Sequence, residues 1–250
     1  MKKVLLSVLF IVTFGGSLFG FEAGQLSLDT PNVLNQFEGS FAIRHRFYGE
    51  YNDLEKFLGT DDGGNMHFIL KFALLDNLVI GVDHTREDSA YGVGVEYAYH
   101  LPFIKSSIRA NSFVLNKGFG VYQSSYMLNA AFQTPNIFEH IIATANIGYD
   151  AYYQHYIAGV GVDINFMNFI PVVLTYTERI ALLFEYYPQV DKVAGASGEY
   201  DAYALGVKFQ TFGHHFELLA TNAISMDPRS LSMGTDSQKL HFGFNINRKF

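Results

Sequence analysis

Residues 240–250, LHFGFNINRKF, decide the fold, because apolar and polar side chains alternate along them. In an extended strand successive side chains point to opposite faces. One face suits lipid and the other suits water, which is the pattern of a membrane β-strand. The apolar face holds Leu240, Phe242, Phe244, Ile246 and Phe250, and the other holds His241, Gly243, Asn245, Asn247 and Lys249.

The same alternation recurs upstream in segments of about ten residues, for example over 66–74, 91–99 and 156–166. It predicts an all-β protein, a transmembrane antiparallel up-and-down β-barrel of about twelve strands. The strands are predicted near residues 37–47, 65–75, 78–87, 89–100, 104–115, 121–132, 140–150, 154–166, 171–187, 200–210, 214–222 and 240–250.

The ninth strand decides whether the count is even. Thr177, Glu178 and Arg179 resemble a turn, yet the apolar positions keep one parity across them, so we interpret 171–187 as one strand. An even count places both termini at one end. Short links then fall at that end, at 75–77 and 210–213, and long loops at the other, at 48–64, 188–199 and 223–239.

Composition excludes several other classes. The chain has 250 residues, with 24 Phe, 16 Tyr and no Cys, so no disulfide supports the fold. Only 16% of residues are charged, yet no continuous apolar run beyond the N-terminus reaches the roughly 18 residues of a transmembrane helix. A barrel is consistent with both observations.

The N-terminus predicts export. Lys2 and Lys3 precede an apolar run over 4–14 and a cluster of small residues, which is typical of a secretory signal peptide. We therefore expect a signal peptide at 1–20, a barrel domain at 21–250, and a location in the outer membrane. Cleavage would take the formal charge from −7 to −9, which argues against a nucleic-acid partner.

The last third of the chain carries a motif. It contains Gly213, His214 and Phe216, followed by Thr221 and Asn222, and the chain ends in a Gly-Phe-Asn-Ile strand at 243–246. This pattern resembles an uncharacterised family of bacterial outer-membrane β-barrel proteins, a domain of unknown function. The resemblance implies the architecture and implies no activity.

Charged residues on inward-facing positions are the candidate lumen lining. Lys71, Asp83, Glu96 and Arg109 lie near mid-depth on four successive strands. They are expected to form an ion-pair ladder that closes the lumen, or a charged constriction that selects solutes, or a set of independently hydrated groups. The full candidate set is Arg44, Lys71, Asp83, Glu96, Arg109, Asp163, Arg179 and Lys208.

Motifs for catalysis or metal binding are weak. The repeats at 92–96 and 159–163 lack the helix that a phosphate loop needs, and the nine histidines form no tight pair with a carboxylate. Ser125, His140 and Asp150 are residue types that could form a hydrolase triad, but any polar lumen supplies such candidates. We expect no enzyme activity, no metal and no cofactor.

Two functions stay open from the sequence. A passive porin-like channel for small polar solutes is favoured, because many inward glycines would leave gaps in the lumen wall. The alternative is a closed structural or interaction barrel that presents its loops. Expected partners are outer-membrane lipid and the barrel-assembly machinery, for which Phe250 is the candidate signal. Residues 21–36 either hang free or fold inward, and the oligomeric state is open.

Overall fold

A computed structural model describes residues 25–31, 34–53, 55–87, 89–101, 103–138, 140–167, 177–211 and 213–250. Twelve strands follow one another along these residues: β1 Gly39–Phe47, β2 Gly64–Leu75, β3 Leu78–Thr85, β4 Ala90–Leu101, β5 Ile104–Asn116, β6 Tyr122–Gln133, β7 Ile141–Asp150, β8 His155–Asn165, β9 Thr177–Tyr187, β10 Ala202–Thr211, β11 His214–Thr221 and β12 His241–Lys249. A single-turn 3-10 helix spans Thr60–Asp62, and a short α-helix, α1, spans Pro228–Leu231.

The strands form one closed barrel in which each strand pairs antiparallel with its neighbours along the chain. The barrel closes where β1 meets β12, with Ser40 opposite Lys249 and Arg46 opposite Gly243. Antiparallel neighbours with no free sheet edge are what a membrane barrel requires, since lipid offers no partner for backbone groups. The predicted fold class is confirmed.

The barrel is polar inside and apolar outside. Along β12 the polar residues His241, Asn245, Asn247 and Lys249 are buried, whereas Phe242, Phe244 and Ile246 are partly exposed. Outward side chains elsewhere are largely exposed, including Val93, Tyr97, Ile108, Leu128, Leu205 and Leu218. This arrangement reverses that of a soluble β-sandwich and fits a surface that faces lipid. No helix in the described ranges is long and apolar enough to cross a membrane.

The two ends of the barrel differ as predicted. Gly39 and Phe250 lie at the same end, where their backbones exchange two hydrogen bonds, N–H to O distances of 2.8 and 2.9 Å. The tight β2–β3 and β10–β11 turns lie at this end, and the long β1–β2, β9–β10 and β11–β12 loops lie at the other. The predicted part 171–176 of the ninth strand and the predicted signal peptide lie outside the described residues.

Two segments outside the strands fill the interior. Residues 25–31, here called the plug segment, are all buried. Part of the β11–β12 loop, residues 222–233, also folds inward, with Met226 fully buried and Leu231 and Met233 nearly so. The choice left open by the sequence is therefore settled for residues 25–31, which fold into the lumen.

Candidate functional site

The plug segment is held in the lumen through its backbone. Glu185 of β9 accepts hydrogen bonds from the N–H groups of Ser27 (2.8 and 3.0 Å) and Leu28 (3.1 Å). Asn245 of β12 donates to the carbonyl of Leu26 (2.7 Å), and Arg44 of β1 donates to the carbonyl of Ser27 (3.2 Å). Side chains of the wall thus satisfy backbone groups that have no strand partner, as buried peptide groups require.

Asn146 of β7 forms hydrogen bonds with both backbone groups of Asp29, the next residue of the segment. Its amide oxygen accepts from the N–H of Asp29 at 2.9 Å, and its amide nitrogen donates to the carbonyl of Asp29 at 2.8 Å. Arg46 of β1 adds contacts to the Leu26 carbonyl and the Ser27 hydroxyl, both at 3.2 Å. The fixed geometry of the Asn146 amide sets the position of Asp29 along the lumen.

Two leucines of the plug segment occupy apolar pockets in the wall. Leu26 packs in a cluster with Ala181, Leu183, Ala204 and Leu219. Leu28 packs in a second cluster with Tyr187, Ala202, Ala223 and Leu231. Both leucines are fully buried, so each contributes on the order of 2 kcal/mol of hydrophobic free energy to docking.

Inward glycines make room for these leucines. A Cβ built on Gly159 would lie 2.7 Å from a methyl carbon of Leu28, and one on Gly206 would lie 2.8 Å from a methyl carbon of Leu26. Any side chain there would collide with the plug segment. The expectation that inward glycines leave gaps in the lumen wall is therefore wrong at these positions, because Leu26 and Leu28 fill the space.

Asp29 carries the charged contact of the segment. Its carboxylate accepts from Arg109 Nη1 of β5 at 3.1 Å and from Asn129 Nδ2 of β6 at 2.8 Å. Burial alone would raise the pKa of Asp29, but Arg109, Lys71 and Arg44, with the hydrogen bond from Asn129, hold the pKa of that carboxyl below its usual range. Asp29 is thus stabilised as an anion in the lumen.

In the predicted ladder of Lys71, Asp83, Glu96 and Arg109, each residue pairs with a partner two strands away. Lys71 Nζ lies 2.9 Å from Glu96 Oε2, and Arg109 Nη2 lies 3.7 Å from Asp83 Oδ2. Glu96 and Arg109 are opposite in the β4–β5 register, as predicted, yet each has a different carboxylate or cation as its close partner. Arg109 binds Asp29 and Asp83, so the plug segment completes this charged wall.

A second charged cluster lies on β8 to β11. Asp163 accepts from Arg179 at 2.7 Å and from Lys208 at 3.3 Å, and Lys208 lies 4.0 Å from Glu217. All four side chains are buried. The remaining candidate, Arg44, contacts the plug segment and also donates to the Met226 carbonyl at 3.3 Å. The structure thus places every candidate lumen residue on the inward face.

The β11–β12 loop closes the lumen from the opposite end. His155 of β8 makes a hydrogen bond of 3.0 Å to the Arg229 carbonyl, and Ser232 contacts both backbone groups of Ala158 at 3.2 Å. Asp227 caps α1 at Ser230 N. Burial would raise the pKa of Asp227, but Arg229 and the Ser230 hydrogen bond hold that pKa below its usual range.

Little space is left beside the plug segment. A cavity of about 50 Å³ lies between Asp29, Ser40, Arg44, Lys71 and Glu96. This volume holds a few water molecules and no larger solute, since one water needs roughly 10–15 Å³ by this measure. This part of the described lumen therefore admits water alone beside the plug segment.

The structure does not bring Ser125, His140 and Asp150 together as a catalytic triad. His140 precedes β7 and Asp150 ends it, so about nine residues of extended strand, roughly 30 Å, separate them. Ser125 pairs with Phe113 on the β5 side, away from the His140 end. Within the described ranges no group of three or more His, Asp or Glu side chains is placed to hold a metal ion.

The residues that hold the plug segment were not among the site residues predicted from the sequence. Arg46, Asn129, Asn146, Glu185 and Asn245 are all inward polar residues, so the alternation of the strands already marked them. The plug segment itself gave only a weak signal, the apolar pair Leu26 and Leu28 followed by Asp29. Its contacts with Glu185 and Asn146 span more than a hundred residues of sequence, which no local pattern reports.

The second half of the barrel matches a known protein family. Residues 143–250 match the family model described as a membrane bound beta barrel domain (DUF5777). This range covers nearly all of β7 to β12 and includes the Gly-His-x-Phe motif. The predicted resemblance to an uncharacterised family of barrel proteins is confirmed, and the chain is a membrane β-barrel over this range. No curated protein sequence matches the chain.

Solved structures with a similar course of the chain include porins and an outer membrane phospholipase. They include a KdgM porin in complex with disordered oligogalacturonate (9% identity, 84% of this chain, 99% of that chain, TM-score 0.49). A NanC porin (8%, 84% and 98%, TM-score 0.48) and outer membrane phospholipase A from Escherichia coli (9%, 90% and 98%, TM-score 0.45) are also similar.

Proposed function

We propose that the protein is an outer-membrane barrel, exported by a signal peptide at 1–20, that acts as a porin-like channel for small polar solutes and is held shut by its plug segment. The observation that carries this proposal is the docking of residues 25–31 inside twelve strands. A lumen that accommodates a peptide segment with its side chains is wide enough, once vacated, for a small hydrated solute. Twelve strands lie between filled and open barrels in size.

The chemistry of the wall supports a water-filled path. Buried ion pairs stabilise a fold weakly compared with apolar packing of the same volume. A barrel that only needed to be closed would be stabilised more by an apolar interior than by Arg44, Arg46, Arg109 and Glu185. Charged side chains at these positions are useful when water and solute replace the plug segment.

The charge of the wall points to anions as the preferred solutes. Arg44, Arg46 and Arg109 donate to residues 26–29, whereas Glu185 accepts from them. Departure of the plug segment also removes the negative charge of Asp29. Among the charged wall side chains that contact residues 26–29, three are cationic and one is anionic, and this balance favours anions.

Single-channel conductance in a planar bilayer tests the proposal. A protease recognition sequence inserted between Asn35 and Gln36, which are both exposed, gives a full-length protein that can be cut after folding, here called the cleavable barrel. We expect the uncut protein to be silent and the cut protein to give stepwise, anion-selective currents. A cut, washed barrel that stays silent would reject the channel.

A closed structural barrel is the second candidate, and the inward β11–β12 loop favours it. Arg229 lies 4.4 Å from the centre of the Phe113 ring, and Met226 is fully buried, so this loop fills part of the lumen in addition to the plug segment. Silence of the cut barrel, together with retained heat-dependent gel mobility, would support this alternative. Recovery of the protein in a soluble fraction would exclude both membrane functions.

A further inference from the structure

We propose that the lumen wall is a sequence-selective peptide site, which the plug segment fills as a tethered ligand, and that a separate peptide of the pattern Leu-x-Leu-Asp binds there once the segment has left. This inference does not depend on whether the vacated lumen conducts. It assigns a ligand class, a short peptide with two aliphatic residues and an aspartate, to the vacated lumen wall.

Side chains of the lumen wall form hydrogen bonds with the backbone of the plug segment. Over residues 26–29, the carbonyls of Leu26, Ser27 and Asp29 accept from wall side chains, and the N–H groups of Ser27, Leu28 and Asp29 donate to them. These contacts come from β1, β7, β9 and β12, on one side of the barrel. Such backbone pairing gives affinity without sequence preference.

The site also reads side chains. Leu26 and Leu28 each have a separate, fully buried pocket, and the pocket walls include glycines at which a Cβ would collide with the ligand. Asp29 has two donors, Arg109 and Asn129, that match the two oxygens of a carboxylate. Pockets for alternate side chains, combined with backbone pairing, are how peptide sites achieve specificity.

The contacts are side-chain contacts from a preformed wall, which distinguishes a site from an interior that merely collapsed around a loop. Glu185 and Asn146 project from strands that are hydrogen-bonded on both sides. The barrel ladder therefore keeps the strand backbones that carry these side chains in place when the ligand leaves. A rigid wall lowers the entropy cost of binding a second peptide.

Peptide exchange on the cleavable barrel tests this proposal. The full-length protein is folded and cut, and retention of the released segment is followed by mass spectrometry during washing. A fluorescent, end-blocked peptide Gln-Leu-Ser-Leu-Asp-Thr, identical to residues 25–30, is then added. We expect saturable binding to the cut barrel and none to the uncut barrel, whose site is occupied.

Variant peptides provide the matched controls. Replacing the aspartate by asparagine, or the second leucine by alanine, is expected to weaken binding about tenfold or more, since each removes a buried contact worth at least 1.4 kcal/mol. A scrambled peptide of the same composition should not bind. Slow release of the native segment and faster release from an Asp29→Asn barrel would also support the site.

Three results would overturn the proposal. They are equal binding of native and scrambled peptides, equal release of native and Asp29→Asn segments, and absence of any peptide binding to a cut barrel that keeps its folded gel mobility. Conductance is measured separately on the same preparation. A barrel that conducts but binds no peptide rejects the peptide site alone, and one that binds peptide but never conducts rejects the channel alone.

Discussion

Asn146 on β7 clamps the backbone of Asp29 from both sides, accepting from its N–H at 2.9 Å and donating to its carbonyl at 2.8 Å. Both groups are buried, so no water replaces either hydrogen bond when the plug segment is docked. Loss of the amide therefore destabilises the docked state and leaves the released state nearly unchanged.

The first prediction follows from this clamp. Asn146→Ala removes two buried hydrogen bonds of about 1 kcal/mol each, so the released fraction of the plug segment should rise roughly tenfold or more. The chain has no cysteine, so Thr30→Cys provides a single buried thiol whose labelling rate reports release. Gln133→Ala is the control, because that buried amide contacts Thr144 within the wall. Equal labelling in both variants would show that Asn146 does not hold the segment.

The second prediction concerns Asp29 and pH. Its folded pKa lies below the usual value, so the stabilisation of docking is present above about pH 4, the unfolded value, and is lost as pH falls through the folded pKa. Asp29→Asn should weaken docking by roughly 2 kcal/mol at neutral pH and abolish this acid dependence. Conductance recorded between about pH 3 and pH 7 measures both effects.

The control for Asp29 is Asp62→Asn, which alters an exposed loop carboxylate paired with Lys56. We expect this variant to keep the acid-dependent opening of the unaltered protein. An Asp29→Asn barrel that opens at the same pH as the unaltered protein would assign the acid response to other carboxylates of the lumen.

The alternation of side chains was enough to predict the barrel from the sequence. The final strand was predicted at 240–250 and is found at His241–Lys249, and the fourth was predicted at 89–100 and is found at Ala90–Leu101. A period of two fixes which face of each strand meets lipid, because a shift by one residue would turn every side chain to the other face.

The partners of lumen residues were harder to predict than their orientation. Glu96 and Arg109 are directly opposite, yet Glu96 pairs with Lys71 two strands away, and Arg109 turns toward Asp29. Long side chains reach diagonal neighbours, and a charge on a distant segment competes with the nearest one. Glu96→Gln therefore removes the carboxylate partner of Lys71, whereas Arg109 keeps Asp29 and Asp83.

The third prediction follows from the ion pair between Glu96 and Lys71. In the cut cleavable barrel, Glu96→Gln leaves Lys71, whose side chain is 23% exposed, without its carboxylate partner, so the lumen gains positive charge. The reversal potential should shift further toward anion selectivity, and stability should fall by about 1 kcal/mol, because water screens a partly exposed cation. Glu199→Gln, on an exposed loop, is the matched control. An unchanged reversal potential would place Glu96 away from the conducting path.

The fourth prediction concerns Phe250, the candidate assembly signal. Its backbone exchanges two hydrogen bonds with Gly39 at the seam between β1 and β12, and its side chain is 37% exposed. Deletion of Phe250 would remove both the ring and the seam hydrogen bonds, whereas Phe250→Ala removes the ring alone. If the ring is recognised during assembly, Phe250→Ala should lower the yield of heat-modifiable barrel in cells while refolding in detergent proceeds normally. Phe72→Ala removes an outward-facing ring of similar exposure, 39%, from β2 at the same end of the barrel and should leave the assembled yield unchanged. Equal yields for the two variants would mean that Phe250 contributes only the packing of one more aromatic ring at the barrel surface.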